Sequence, residues 1–70
     1  MAKIEASMAG NVWKVLVKEG DKVKAGQDVV ILESMKMEIP IAAEEDGIVT
    51  KVHAQEGEFV NDSDLLVETE

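Results

Sequence analysis

Apolar and polar positions alternate along this chain in short runs, and glycines or acidic clusters separate one run from the next. Gly10, Gly20, Gly26, Gly47 and Gly57 read as dividers. The pieces between them are rich in valine and isoleucine, whose branched side chains suit a pleated surface and lose rotamer freedom in a helix. Short runs punctuated by turn residues predict an all-β sandwich or barrel. The expected strands are Lys3–Ala6, Asn11–Val17, Lys22–Val23, Val29–Ser34, Met37–Ala42, Ile48–Ala54, Glu58–Val60 and Leu65–Glu68. Val17-Lys18-Glu19 and Ser34 to Glu38 could pass as helix on propensity alone, but their neighbours overrule it. Val12 to Val15 is an odd step, so a bulge near Trp13-Lys14 is needed to put Val12, Val15 and Val17 on one face. From Val29 to Leu32 both faces are apolar, and that strand should be buried on both sides.

The pattern also repeats. Adding 37 to a residue number in the first half finds its counterpart in the second: Gly10 meets Gly47, Val12 meets Val49, and Lys14-Val15 meets Lys51-Val52. Glu19-Gly20 meets Glu56-Gly57, Asp21 meets Glu58, Val23 meets Val60, and Val29-Val30 meets Leu66-Val67. No gap is needed. Two copies are too few for a solenoid, which needs at least about three repeats to bury a core. Two copies that each expose one apolar sheet face can instead pack together about a pseudo-two-fold axis, leaving few free edges. The expected fold is a flattened barrel or sandwich of two four-stranded antiparallel sheets, a barrel-sandwich hybrid. The stretch joining the copies has no internal counterpart, and the chain termini occupy the equivalent corner.

Composition narrows the function classes. Seventy residues accommodate one small domain, residues 1–70, with no room for a second. A chain of this size has a thin stability margin, and with no cysteine and a single histidine, His53, neither disulfides nor a metal centre can widen it. The net charge of −8 and the absence of arginine argue against nucleic acid, and two aromatics, Trp13 and Phe59, leave little for base stacking. Acidity of this kind keeps a small protein soluble; a sharper reading is a protein that visits partners with basic docking surfaces. No apolar stretch is long enough for a signal peptide or a membrane span, and with no cysteine the cytosol is the expected compartment. Trp13 reads as packing at a sheet edge. Glu44-Glu45-Asp46 and Asn61-Asp62-Ser63-Asp64 read as solvated turns, without the ligand spacing of a calcium loop.

The chemistry concentrates in Glu33-Ser34-Met35-Lys36-Met37-Glu38, a stretch nearly symmetric about its centre. Met35-Lys36 is the natural two-residue loop of a hairpin between two apolar runs. Such loops favour type I′ geometry with φ > 0 at both residues, for which Asn-Gly is the unstrained solution. Methionine and lysine there are strained, and strain on unsuited residues invites a functional explanation. A solvated lysine, with a pKa of about 10.4, is a poor nucleophile until a partner removes its proton. A self-sufficient catalytic lysine would sit desolvated in a pocket, whereas here Glu33, Ser34 and Glu38 favour the charged form. Lys36 therefore reads as the substrate of a modifying enzyme and not as a catalyst. Met35 and Met37, soft and adaptable contact residues, read as recognition elements. Glu33, Ser34 and Glu38 are divided between recognition and a polar solvent face.

The run Glu33-Ser34-Met35-Lys36-Met37 resembles the biotin-attachment motif of biotin carboxyl carrier domains, whose usual form is Glu, Ala or Ser, Met, Lys, Met. The resemblance covers nearly the whole chain: Val17 to Val23 with Gly26-Gln27, Asp46-Gly47-Ile48-Val49, and Glu56 to Val60 all look like the family's turns. In its length the chain looks most like the single-domain biotin/lipoyl attachment proteins. The resemblance implies that Lys36 receives biotin in amide linkage from a biotin protein ligase, through biotinyl-adenylate. It also implies carboxylation at a biotin carboxylase with ATP and bicarbonate, and discharge at a carboxyltransferase, the domain itself catalysing nothing. The carrier subunit of bacterial acetyl-CoA carboxylase has an inserted protruding loop, the thumb. The ungapped offset leaves no room for one, which favours the thumbless type and counts against that role. Lipoyl domains share the fold but usually carry Asp before the lysine and Ala or Ser after it, so Met35 and Met37 favour biotin. A lipoyl carrier served by a lipoate ligase is the alternative reading, and an unmodified interaction barrel the remote one.

Overall fold

The computed structural model describes Ala2–Glu70. Its strands are β1 (Ala2–Glu5), β2 (Gly10–Val15), β3 (Lys22–Val23), β4 (Asp28–Ser34), β5 (Met37–Ala42), β6 (Gly47–Val52), β7 (Phe59–Val60) and β8 (Leu65–Thr69). Every expected strand is present, with ends displaced by at most two residues. They form two four-stranded antiparallel sheets, ordered β1-β8-β6-β3 and β5-β4-β2-β7.

The repeat is carried into the backbone. Adding 37 takes β2 onto β6 and β3 onto β7 residue for residue, β4 onto β8, and β1 onto the end of β5. Gly20 N donates to Val49 O at 2.8 Å, and its counterpart Gly57 N donates to Val12 O at 2.8 Å. The halves do not each form a sheet, as face-to-face packing of two separate copies would require. Each sheet takes two strands from each half, so β7 completes the sheet begun by β2 and β3 completes that of β6. The termini meet where Ala2 and Thr69 are register partners, the corner equivalent to the β4–β5 hairpin. The connections from β2 to β3 (16–21) and from β6 to β7 (53–58) are equal in length, so neither carries an inserted loop.

The core lies between the sheets. Val12, Val29, Val30, Leu32, Val49, Leu66 and Val67 are fully buried, and most are repeat partners: Val12 with Val49, Val29 with Leu66, Val30 with Val67. Burying one such side chain contributes about 1.5–3 kcal/mol. The expected bulge is present, with the β2–β4 register slipping between Val12 and Lys14; its counterpart slips between Val49 and Lys51. The reading of β4 as buried on both sides is corrected. A second bulge between Asp28 and Val30 leaves Val29 as the extra residue, so Val29 and Val30 are both buried in the core while Ile31 is only half-buried.

Gly10 and Gly47 are the first residues of β2 and β6, and there they also admit close approach: a Cβ would come within 2.9 Å of Glu33 O and 3.0 Å of Glu70 O respectively. The acidic turns behave as expected. Ser63 takes φ 70°, matching Gly26 at 86° in the other half, and Asn61 N donates to Asp64 Oδ2 at 2.8 Å. Asp46 Oδ1 accepts from Ala25 N at 2.8 Å, tying two neighbouring turns together.

Outside the core, His53 Nε2 lies 2.8 Å from Glu68 Oε2. That hydrogen bond, helped by the charges of His53, Lys3 and Lys51, holds the Glu68 carboxyl below its ordinary value of 4.5. Folding lowers this pKa, so the contribution is present above the unfolded value and is lost as pH falls through the folded one. His53→Asn is expected to raise the Glu68 midpoint toward that of an ordinary glutamate in a carboxyl-detected NMR titration. An unmoved midpoint would show that His53 is not the cause.

Candidate functional site

Met35 and Lys36 alone join β4 to β5, because Ser34 and Met37 are register partners. Their φ values are 53° and 64°, both left-handed, as a two-residue type I′ loop requires. A side chain in this region costs about 1–2 kcal/mol per residue relative to right-handed backbone. The strain is held by what lies below. Leu32 pairs with Ile39 and Val30 with Ile41, and Leu32 and Val30 are fully buried. Gly10 lets β2 run close beneath the base of the hairpin, against the Glu33 carbonyl. Sequence reading passed over Gly10 as a divider; the paired glycine at position 47 was the available signal.

The tip is open to solvent. Met35 is 91% exposed and Met37 61%, and Lys36 is exposed. Among the described residues Lys36 forms no ion pair. Glu33 and Glu38 are direct cross-strand partners, both exposed, on the outer face of the sheet. Like charges so placed are unfavourable. Ser34 is half-buried beside Met37. The hairpin thus brings all six singled-out residues together within its last three cross-strand levels. An exposed amine on a rigid turn, with no ion-pair partner among the described residues, fits a covalent acyl group as cargo. It lacks the enclosure an internal catalyst needs.

Trp13 departs from expectation. It lies on β2, an inner strand, and not at an edge. The bulge turns it outward, 42% exposed, with Lys14 Nζ 5.7 Å from its ring centroid. His53 is engaged by Glu68, and among the described residues no group of three His, Cys, Asp or Glu side chains could hold a metal.

A family model described as biotin-requiring enzyme, of biotin/lipoyl type, matches residues 2–69. The chain belongs to the biotin/lipoyl attachment family. Members of this family carry biotin or lipoate covalently on a lysine. The chain is 58% identical over 65 residues to the biotin/lipoyl attachment protein of Bacillus subtilis, covering 93% of this chain and 89% of that protein. It is 43% identical over 67 residues to the alpha chain of human mitochondrial propionyl-CoA carboxylase, covering 96% of this chain and 9% of that one. Among solved structures, Kluyveromyces lactis urea carboxylase matches with a TM-score of 0.88 at 33% identity, over 94% of this chain and 6% of that one. The lipoyl domain of the Azotobacter vinelandii 2-oxoglutarate dehydrogenase complex matches with a TM-score of 0.80 at 26% identity, over 100% and 96%. The chain therefore spans most of a free-standing attachment protein but less than a tenth of each of these carboxylases. The all-β fold and the family are as the sequence implied.

Replacing Met35-Lys36 by Asn-Gly is expected to stabilise the domain while removing the amine. Relief of about 1 kcal/mol would raise Tm by about 4–8 °C in a chain of this size, measured by circular dichroism. An unchanged or lower Tm would mean that the loop residues carry no strain.

Proposed function

We propose that this domain is a biotin carrier whose attachment point is Lys36. The observation that carries the reading is the strained two-residue turn itself, which holds Lys36 at its tip between two exposed methionines. Lys36 Nζ, having passed a proton to a base of the biotin protein ligase, attacks the carbonyl carbon of the acyl-adenylate. The amide C–N bond forms, the nitrogen gives up a second proton to solvent, the C–O bond to AMP breaks, and AMP leaves with the electron pair. The reading assigns the base to the ligase, because the nearby carboxylates Glu33 and Glu38 lie on the exposed outer face of the sheet. Met35 and Met37 give the ligase adaptable apolar contacts on either side of the amine. Biotin, once bound, supplies a ring that accepts a carboxyl group at a biotin carboxylase and yields it at a carboxyltransferase. The rigid hairpin sets where the arm begins, and the tether raises the effective concentration of its cargo at both sites.

Lipoate is the second reading, favoured by the likeness to a lipoyl domain over the full length of this chain. Intact mass of the protein recovered from cells with active biotin and lipoate ligases separates the readings. A biotin increment that disappears in Lys36→Ala is expected. A lipoyl increment alone would overturn the biotin reading, and an unmodified mass would overturn both.

The flanking methionines are expected to set the choice. Met35→Asp combined with Met37→Ala should shift modification from biotin toward lipoate when the folded variant is incubated with each purified ligase. Unchanged selectivity would mean that neither methionine is read.

A further inference from the structure

The repeat offers an internal control: equivalent positions share backbone geometry, so a difference between them marks a surface with a separate task. On the outer face of the hairpin-bearing sheet, register pairs align Phe59, Asn11, Glu33 and Glu38 in one row across β7, β2, β4 and β5. The next row is Lys14 with the bulged Trp13, then Ile31 and Pro40. The equivalent rows on the other sheet hold Lys22, Ile48 and Glu70, then Lys51 with Thr50, Glu68 and Lys3.

The two faces differ at most of these positions, the exception being Ile48, 42% exposed on the second sheet where the hairpin sheet has Asn11. On the second sheet Glu68 lies between Lys51 and Lys3 and takes a hydrogen bond from His53, so its charges are compensated. On the hairpin sheet, Trp13 replaces the equivalent of Thr50, Phe59 that of Lys22, Ile31 that of Glu68 and Pro40 that of Lys3. Phe59 is 60% exposed and Trp13 42%. Among the described residues the facing carboxylates Glu33 and Glu38 form no ion pair, and Lys14 is engaged over Trp13. With strands about 4.8 Å apart, the first row spans about 14 Å and begins one cross-strand level below the Ser34–Met37 pair.

We propose that this outer face, centred on Trp13 and Phe59 and bordered by Glu33 and Glu38, is where the ligase that acylates Lys36 docks. The inference rests on the carrier reading above. The occupant follows from the chemistry. Acyl transfer needs the Lys36 amine about 3–3.5 Å from the acyl carbon, so the ligase must grip the rigid surface next to the tip. Later enzymes reach their cargo at the end of an arm and need no such grip. A second copy of this chain would bring a charge of −8 against −8 and would leave the Glu33–Glu38 repulsion uncompensated. The complementary surface is apolar and flanked by lysine or arginine.

The ligase used in the test is whichever one modifies Lys36 in the mass measurement. The variant Trp13→Thr with Phe59→Thr gives position 13 the residue that the repeat holds at its counterpart Thr50, and position 59 a polar β-branched residue suited to a strand. It is expected to raise the KM for the domain about tenfold or more, as loss of aromatic anchors does, with kcat retained. Lys22→Ala with Lys51→Ala, on the opposite face, should leave KM unchanged. In parallel, the unmodified 15N-labelled wild-type domain is titrated with the purified ligase. Broadening at Trp13, Phe59 and Glu33 but not at Thr50 or Lys22 is expected, and this arm holds even if the double variant fails to fold. A wild-type domain that is modified while broadening is confined to the hairpin or falls on the other sheet overturns the docking surface alone. So does an unchanged KM in the folded variant, or self-association through Trp13 and Phe59 without a KM effect. A wild-type domain neither bound nor modified overturns this inference together with the carrier reading.

Discussion

Each sheet of this domain is assembled from both halves of the chain, and everything else depends on that interlock. β2 finds its outer neighbour in β7, and β6 finds its own in β3, so neither half can complete a sheet alone. The inner faces meet through repeat partners such as Val12 with Val49 and Val30 with Val67. A chain with no disulfide and few aromatics thereby closes a core from valine, leucine and isoleucine. The cost of ordering so many residues is met by burial that both halves contribute at once.

The interlock makes the hairpin rigid enough to bear strain. A left-handed pair of non-glycine residues would relax if its strands could splay. Here β4 is held between β2 and β5, Leu32 is fully buried below the tip, and Gly10 admits close approach against the Glu33 carbonyl. The symmetry operation also sets the hairpin in the one corner whose counterpart is occupied by the chain termini. Lys36 is thus held at a fixed point on the protein surface.

Divergence within the repeat separates scaffold from surface. Inward positions are conserved in kind between the halves because both face the same core. Outward positions are free to differ, and they do: Trp13, Ile31, Pro40 and Phe59 on the hairpin sheet stand where the other sheet has Thr50, Glu68, Lys3 and Lys22, while Asn11 stands opposite the exposed Ile48. Part of the chain's acidity is concentrated at Glu33 and Glu38, which face each other across the hairpin.

Much was legible from the residues alone. Glycine punctuation and branched side chains specified eight short strands, the 37-residue offset specified the symmetry, and the odd spacing of Val12 and Val15 specified the bulge. These are local properties, or comparisons of the chain with itself. Met35-Lys36 stood out as a loop because its flanking apolar runs fix the register. The tertiary structure alone decided the rest. It brought the backbones of Gly10 and Gly47, the first residues of β2 and β6, against neighbouring carbonyls, left Ile31 half-buried, and turned Trp13 outward from an inner strand. It also put Phe59 in one row with Asn11, Glu33 and Glu38. Each of these depends on pairing between strands distant in sequence, and such pairing is set by closure of the whole barrel and not by any short stretch of chain.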